Sequence, residues 1–189
     1  MKRRHLHESD KQYKIFLYIF YLCMIIMGSI TFYGIYAMSE EWNENGMYVM
    51  GEVLVQTQVP FENFANLSTW LFFSTIIGWY CCSRIGWKKT VGLNSYRMAL
   101  TQLMVLGFAI ICLYEVLWSF TVLNAEITSQ MILQNTIPDI DLLMVEYPDP
   151  LRPWNLIFAT KIWLAGFVIS AHAFYLSTRQ RKTLEDLDE

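Results

Sequence analysis

The sequence is poor in charged residues. Only 16% of its 189 residues are Asp, Glu, Lys or Arg, whereas 54% are hydrophobic. Soluble domains carry about 25% charged residues, so this shortage of charge excludes an ordinary soluble domain and favours a membrane protein. The net charge is −3 and the basic residues fall in short, separate clusters, which speaks against a nucleic-acid-binding protein. The length allows about one domain, which we take as residues 1–189.

Motifs that build an enzyme site are also scarce. None of the four cysteines forms a CxxC pair, which excludes a disulfide-stapled module and a zinc ribbon. No histidine lies between His7 and His172, so one copy of the chain cannot supply the paired histidines of a membrane haem or the histidines of a helical di-metal site. Walker A, GxGxxG and GxSxG sequences are missing as well. We therefore expect no catalytic residue and no firmly bound cofactor in this chain.

Four apolar runs, by contrast, have the character of membrane-crossing helices, which need about 20 residues each. All five prolines lie outside these runs, as continuous helices require. Since backbone polar groups find no water in lipid, helices are the natural structure for such runs. We predict an all-α, polytopic membrane protein with four transmembrane helices in a single domain, at residues 15–38, 67–83, 98–122 and 154–176.

The distribution of positive charge predicts the orientation. The N-terminal tail, the loop after the second run and the C-terminal tail together hold 12 of the 14 Lys and Arg residues. Because Lys and Arg collect on the cytoplasmic side, both termini are predicted to be cytoplasmic and the protein to lie in the cell membrane. The apolar part of the first run is longer than the roughly 7–15 residues of a signal peptide, so we interpret this run as an anchor.

Two long extracytoplasmic loops, at residues 39–66 and 123–153, are acidic. Acidic residues accumulate wherever Lys and Arg are excluded, and this is the simplest explanation. Within the first loop, however, one set of residues alternates with another at the period of a half-buried strand: Val53, Val55, Thr57 and Val59 alternate with Glu52, Leu54, Gln56 and Gln58. We therefore expect an ordered outer surface that docks a partner, and leave open whether it binds metal. The ten carboxylates are Glu40, Glu41, Glu44, Glu52, Glu62, Glu126, Asp139, Asp141, Glu146 and Asp149.

Two opposite charges lie inside the predicted spans. Glu115 precedes the outer end of the third run by seven positions, and Lys161 follows the outer end of the fourth by seven. Antiparallel neighbours would place both about 10 Å below the outer boundary. Since isolated charges in a membrane are costly, the two are predicted to form an ion pair that fixes helix register. A proton relay or cation site is the functional alternative.

The fourth run has two distinct faces. His172 follows Lys161 by eleven residues, or three turns, so both lie on one polar face. The opposite face carries small residues that would let another helix approach closely, which predicts a helix-packing interface. A helix with two contact faces suits the middle of a bundle or the boundary between subunits. The small residues are Ala159, Gly166, Ser170 and Ala173.

Two cysteine thiols and a histidine imidazole, which are soft metal ligands, are predicted near the cytoplasmic side. Cys81, Cys82 and His172 fall at a similar depth and would suit Cu(I). Buried cysteines are also ordinary core residues, so this set alone does not predict a metal site. A thiol redox enzyme using Cys81 and Cys82 is the weakest functional alternative, because both lie at the cytoplasmic end.

Several short motifs follow one another in a recognisable order along residues 14–120. They are Lys14-Ile15, Met27-Gly28-Ser29, Gln56-Thr57, Trp70-Leu71, Gly78-Trp79, Gly92-Leu93, Met98, Leu106-Gly107, Glu115 and Trp118. This order resembles the C subunit of archaeal-type ammonia monooxygenases, relatives of particulate methane monooxygenase. That family holds its metal through an aspartate and two histidines, yet residues 47–83 contain neither type. The resemblance thus implies a ligand-free relative or an accessory subunit, with copper held by partner subunits.

Two functions remain in competition. The first is a non-catalytic integral membrane subunit of a multi-subunit complex, with the copper-dependent monooxygenase as first candidate. Its partners would be other membrane subunits and the lipid bilayer. The second is a small oligomeric carrier or channel for protons or ions that uses Glu115 and Lys161. Transporters often contain internal repeats or helices broken at mid-membrane, and neither is evident here.

Overall fold

A computed structural model describes residues 11–45, 50–62, 64–86, 95–134 and 154–188. The described chain is mostly helical, which agrees with the predicted fold class. In chain order the elements are α1 (Lys11–Asn45), α2 (Glu52–Gln56), β1 (Gln58–Val59), β2 (Ala65–Asn66), α3 (Leu67–Ile85), α4 (Ser95–Gln134) and α5 (Leu156–Asp188).

Three of the described helices are long and apolar enough to cross a membrane. They are the segments Lys11–Glu44, Tyr96–Leu133 and Leu156–Arg179, which include the first, third and most of the fourth predicted spans. The second predicted span coincides with α3, a helix of 19 residues. This helix also contains serines, threonines and Arg84, and it is not among the three.

The long helices pack in the order α1, α3, α5, α4. The most extensive contacts join α4 to α5 and α1 to α3, while α3 also packs on α5. The side chain of Leu156, which is fully buried at the start of α5, contacts Val122, Leu123 and Ile127 of α4. Within the described residues α5 therefore lies between α3 and α4.

Contacts along the helices define their registers. Gly166 lies opposite Cys112 and Leu156 opposite Val122, and both pairs describe the same antiparallel register of α4 and α5. Cys23 of α1 contacts Gly78 of α3, where a Cβ atom on the glycine would lie 3.4 Å from the Cys23 Cβ. These contacts define the register within each of the two helix pairs, α4 with α5 and α1 with α3.

The segment after α1 differs from the predicted strand. Residues 52–56 form the short helix α2, and only Gln58–Val59 pairs with Ala65–Asn66 as a two-stranded antiparallel sheet. Gly51 starts the helix with a φ of 82°, and the Val55 N–H donates to its carbonyl over 3.1 Å. Leu54 is buried against Gly34, so tertiary packing of Leu54 overrides the β-propensity of the valines.

The predicted outer loops are shorter than expected because two helices continue beyond their apolar runs. α1 extends to Asn45 and α4 to Gln134, so residues 123–134 are helical. Residues 135–153, which carry Asp139, Asp141, Glu146 and Asp149, lie outside the described residues. Lys2, Arg3, Arg4, Lys88 and Lys89 also lie outside them.

The connection after α1 is fastened to the start of α5. The Asn155 N–H donates to the Met50 carbonyl over 2.9 Å, and Asn155 caps α5 by accepting from the N–H groups of Ile157 and Phe158. Next to this contact a Cβ atom on Gly51 would lie 2.2 Å from Cγ of Phe158. Only glycine therefore satisfies both the positive φ and the close approach.

We predict that Gly51→Ala destabilises the protein by about 1–3 kcal/mol, because alanine is strained at this φ and collides with Phe158. Gly107→Ala is the matched control, since a Cβ atom there meets nothing within 4 Å. Thermal unfolding in detergent followed by tryptophan fluorescence measures the difference. Equal melting temperatures for the two variants would contradict the close contact.

Candidate functional site

The ammonium group of Lys161 is bound by three side-chain oxygens from the beginning of α3. Its Nζ donates to Asn66 Oδ1 over 2.8 Å, to Ser68 Oγ over 2.9 Å and to Thr69 Oγ1 over 2.9 Å. An ammonium group has three N–H donors, so these contacts match its capacity. We call Lys161, Asn66, Ser68 and Thr69 the lysine cluster.

The cluster forms because α3 needs a cap at its first turn. The Asn66 Oδ1 accepts from the backbone N–H of Thr69 over 3.1 Å, and the Ser68 hydroxyl donates to the same oxygen over 2.9 Å. Ser68 is fully buried, so its hydroxyl would be costly without these partners. An asparagine directly before an apolar run is an N-cap signal, which the sequence contains but which does not predict Lys161 as a neighbour.

Glu115 lies on α4, on the other side of α5 from the lysine cluster. The register of α4 and α5 puts Glu115 within about one turn of Lys161, and Glu115 is half-buried. Among the contacts of the described residues, however, the hydrogen bonds of Lys161 lead to α3. The reason is the position of α5 between α3 and α4, which turns the polar face of α5 toward α3. An ion pair between Glu115 and Lys161 stays a prediction.

His172 makes a second polar contact with α3. The indole Nε1 of Trp79 donates to His172 Nδ1 over 3.1 Å, and the two rings meet edge to face at 6.5 Å between centroids. Ser68 and Trp79 are separated by eleven residues, as are Lys161 and His172. The helices α3 and α5 are therefore parallel, and both contacts form in the same register of the two helices.

The small residues of α5 are used for packing inside the chain. At Gly166 a Cβ atom would lie 2.9 Å from the Sγ of Cys112 on α4, so the glycine permits the close approach of the two helices. Ala159 and Ser170 are buried and Ala173 is half-buried. The helix that meets Gly166 is thus α4 of the same chain, whereas the sequence left a partner subunit equally open.

The soft ligands are not brought together. Cys81 is buried on α3 whereas Cys82 is exposed, because neighbouring helical residues point about 100° apart. Cys81 lies near Cys23 of α1, while the ring of His172 bonds to Trp79. Within the part of the chain that the structure describes, no group of three or more His, Cys, Asp or Glu residues could hold a metal ion.

Comparison with known proteins adds no relative. No protein-family model, curated protein or solved structure matches the chain. The function therefore has to be inferred from the chain itself.

Double-mutant cycles can distinguish the two candidate partners of Lys161, which are Thr69 of the lysine cluster and Glu115 of α4. We expect Lys161→Met and Thr69→Val each to destabilise the protein, with a coupling of about 0.5–3 kcal/mol in the double variant, because the two side chains share a hydrogen bond. The same cycle with Glu115→Gln should give a smaller coupling, since the hydrogen bonds of Lys161 lead to α3. Chemical unfolding in mild detergent measures the five variants and the unaltered chain. A larger coupling to Glu115 would instead support the ion pair.

The contact between α4 and α5 makes another prediction. Gly166→Ala should lower stability by about 1–3 kcal/mol, because the new methyl group overlaps the Cys112 sulfur. Cys112→Ala removes that sulfur, so the double variant should be less destabilised than the sum of the two single variants. Melting temperatures of the four proteins provide the test. Additive losses would show that the glycine acts through something other than this contact.

Proposed function

We propose that the chain is a non-catalytic integral membrane subunit of a multi-subunit complex. The observation that carries the proposal is the use of its intramembrane polar groups: Lys161 and His172 both hold α5 against α3. Polar groups committed to helix packing suit a structural subunit better than a chain that performs chemistry. The charge of Lys161 inside the membrane is then stabilised by these hydrogen bonds and has a structural role.

The proposed arrangement has four membrane-crossing helices, with both termini cytoplasmic in the cell membrane. Support for α3 as the fourth comes from its register with α5. Lys161 and His172 both lie inside the membrane-crossing segment Leu156–Arg179, and their partners lie in the first turn and in the second half of α3. A helix held at two points three turns apart, beside a spanning neighbour, lies in the same layer. The excess of Lys and Arg on one side supports the orientation.

A surface for partner subunits is supported by the outer part of α4. Val122 is level with the first residue of α5, so residues 123–134 continue about 18 Å beyond it. Ile132 and Leu133 near the end of this extension are 75% and 79% exposed. Residues 96–122 are already long enough, as a helix, to cross a hydrocarbon core of roughly 30 Å. Exposed apolar side chains beyond them favour a protein partner. By its resemblance, an ammonia monooxygenase-type copper enzyme is the first candidate complex, with copper in the partner subunits.

A proton- or ion-coupled carrier is the second candidate. The matching depth of Glu115 and Lys161 favours it, because two ionisable groups at one level in the membrane can exchange a proton. The three hydrogen bonds that hold Lys161 on α3 favour the structural role instead. We therefore rank the subunit first.

The experiment that tests the proposal is extraction of the native particle from source membranes in mild detergent. We expect a large particle that contains this chain together with other helical membrane subunits, because the outer end of α4 offers a surface for them. Mass spectrometry gives its composition, and elemental analysis gives its copper content. Copper in a particle with other subunits would support the monooxygenase candidate.

A particle that contains only copies of this chain would contradict the subunit role. Proton flux into reconstituted vesicles would then be measured for the unaltered chain and for Glu115→Gln. Flux that Glu115→Gln abolishes while the protein stays folded would support the carrier.

A further inference from the structure

Three large aromatic side chains form an exposed cluster beside the start of α3. Phe61 and Phe64 follow β1, and their ring centroids lie 5.0 Å apart, while the rings of Phe64 and Trp70 stack at 6.2 Å. The side chains of Phe61 and Phe64 are 63% and 55% exposed. The indole Nε1 of Trp70 donates to the Val59 carbonyl over 3.0 Å, which ties the cluster to the strand pair. We call Phe61, Phe64 and Trp70 the aromatic cluster.

The depth of the aromatic cluster follows from the contacts of α3. Strand β2 ends at Asn66 and α3 begins at the next residue, so the cluster lies at the outer end of α3. Asn66 also binds Lys161, which is in the second turn of α5. Since α5 begins its membrane crossing at Leu156, the aromatic cluster is level with the outer boundary of the bilayer.

An exposed apolar stripe connects the aromatic cluster to the other end of α3. Trp70, Phe73, Ile77 and Tyr80 follow one another at helical spacing and are 36% to 53% exposed. At the inner end of the stripe the Arg84 guanidinium lies 5.5 Å from the Tyr80 ring centroid. Aromatic residues at both boundaries and a basic residue at the cytoplasmic end are typical of a helix face that contacts lipid.

We propose that the aromatic cluster inserts into the outer leaflet, at the boundary between lipid headgroups and acyl chains. We infer lipid, and not protein, against the aromatic cluster because the cluster continues the exposed stripe of α3, which faces acyl chains in the four-helix arrangement. Insertion holds α3, the shortest of the four long helices, at the depth where its first turn reaches Lys161. The inference depends on the four-helix arrangement proposed above but not on the subunit role.

Nitroxide labels report the depth directly. Single cysteines replace Phe61, Phe64, Phe73 and Asn43 in the full chain, in a Cys82→Ser background because Cys82 is exposed. Phe73, in the middle of the stripe, is the lipid reference. Asn43 is the aqueous reference, since it is exposed and α1 carries it about 12 Å beyond the start of α3. The labelled proteins are reconstituted into phosphatidylcholine nanodiscs.

Collision rates of each label with oxygen, which concentrates in lipid, and with a water-soluble nickel chelate are then compared. We expect the oxygen-to-nickel ratio at Phe61 and Phe64 to exceed that at Asn43 several-fold and to fall below that at Phe73. Ratios equal to that at Asn43, with Phe73 still in lipid, would overturn the insertion while leaving four helices in place.

Two further outcomes are informative. Low collision rates with both reagents at Phe61 and Phe64 would mean that protein, such as a second copy of the chain, covers the aromatic cluster, and this would overturn lipid as its occupant. A ratio at Phe73 equal to that at Asn43 would show that α3 lies outside the membrane. That result would overturn the insertion and the four-helix arrangement together, whereas the composition of the native particle would still decide the subunit role.

Discussion

The arrangement of this protein depends on how the ammonium group of Lys161 is solvated. A charge at this depth has little water, and the beginning of α3 replaces that water with an amide oxygen and two hydroxyl oxygens. The same amide oxygen, Asn66 Oδ1, caps α3, so one atom both accepts from the backbone of α3 and binds the ammonium group of α5. The side of α5 that faces α3 is thereby fixed, and the opposite side is left for α4.

Much of the fold can be predicted from the sequence because lipid imposes simple requirements. Long apolar runs without proline locate α1, α4 and α5, and the split of α5 into a polar and a small face predicts that it lies between other helices. The depth of Lys161 relative to Glu115 also follows from sequence counting, since helix rise is constant. These features depend on composition and periodicity alone.

Other features depend on neighbours that no local pattern contains. The valines of residues 52–56 favour a strand, but Leu54 finds a buried place against Gly34 and the segment becomes helical. Three hydrogen-bonding partners of Lys161 are neutral residues at the start of α3, and no charge pattern in the sequence predicts them. Counting residues along a helix gives the depth of a side chain but not which neighbouring helix it faces. Predicting the partner of a charged residue in a membrane therefore requires the packing order of the helices as well as their register.

The equal spacing of the two polar contacts between α3 and α5 has a mechanical consequence. The lysine cluster and the Trp79–His172 hydrogen bond are eleven residues apart on both helices, so they fit at one and the same relative position. Sliding either helix by one turn, about 5.4 Å, would break both contacts at once. A shift of α3 along α5 therefore loses both polar contacts together, and neither contact can hold the two helices in a shifted position.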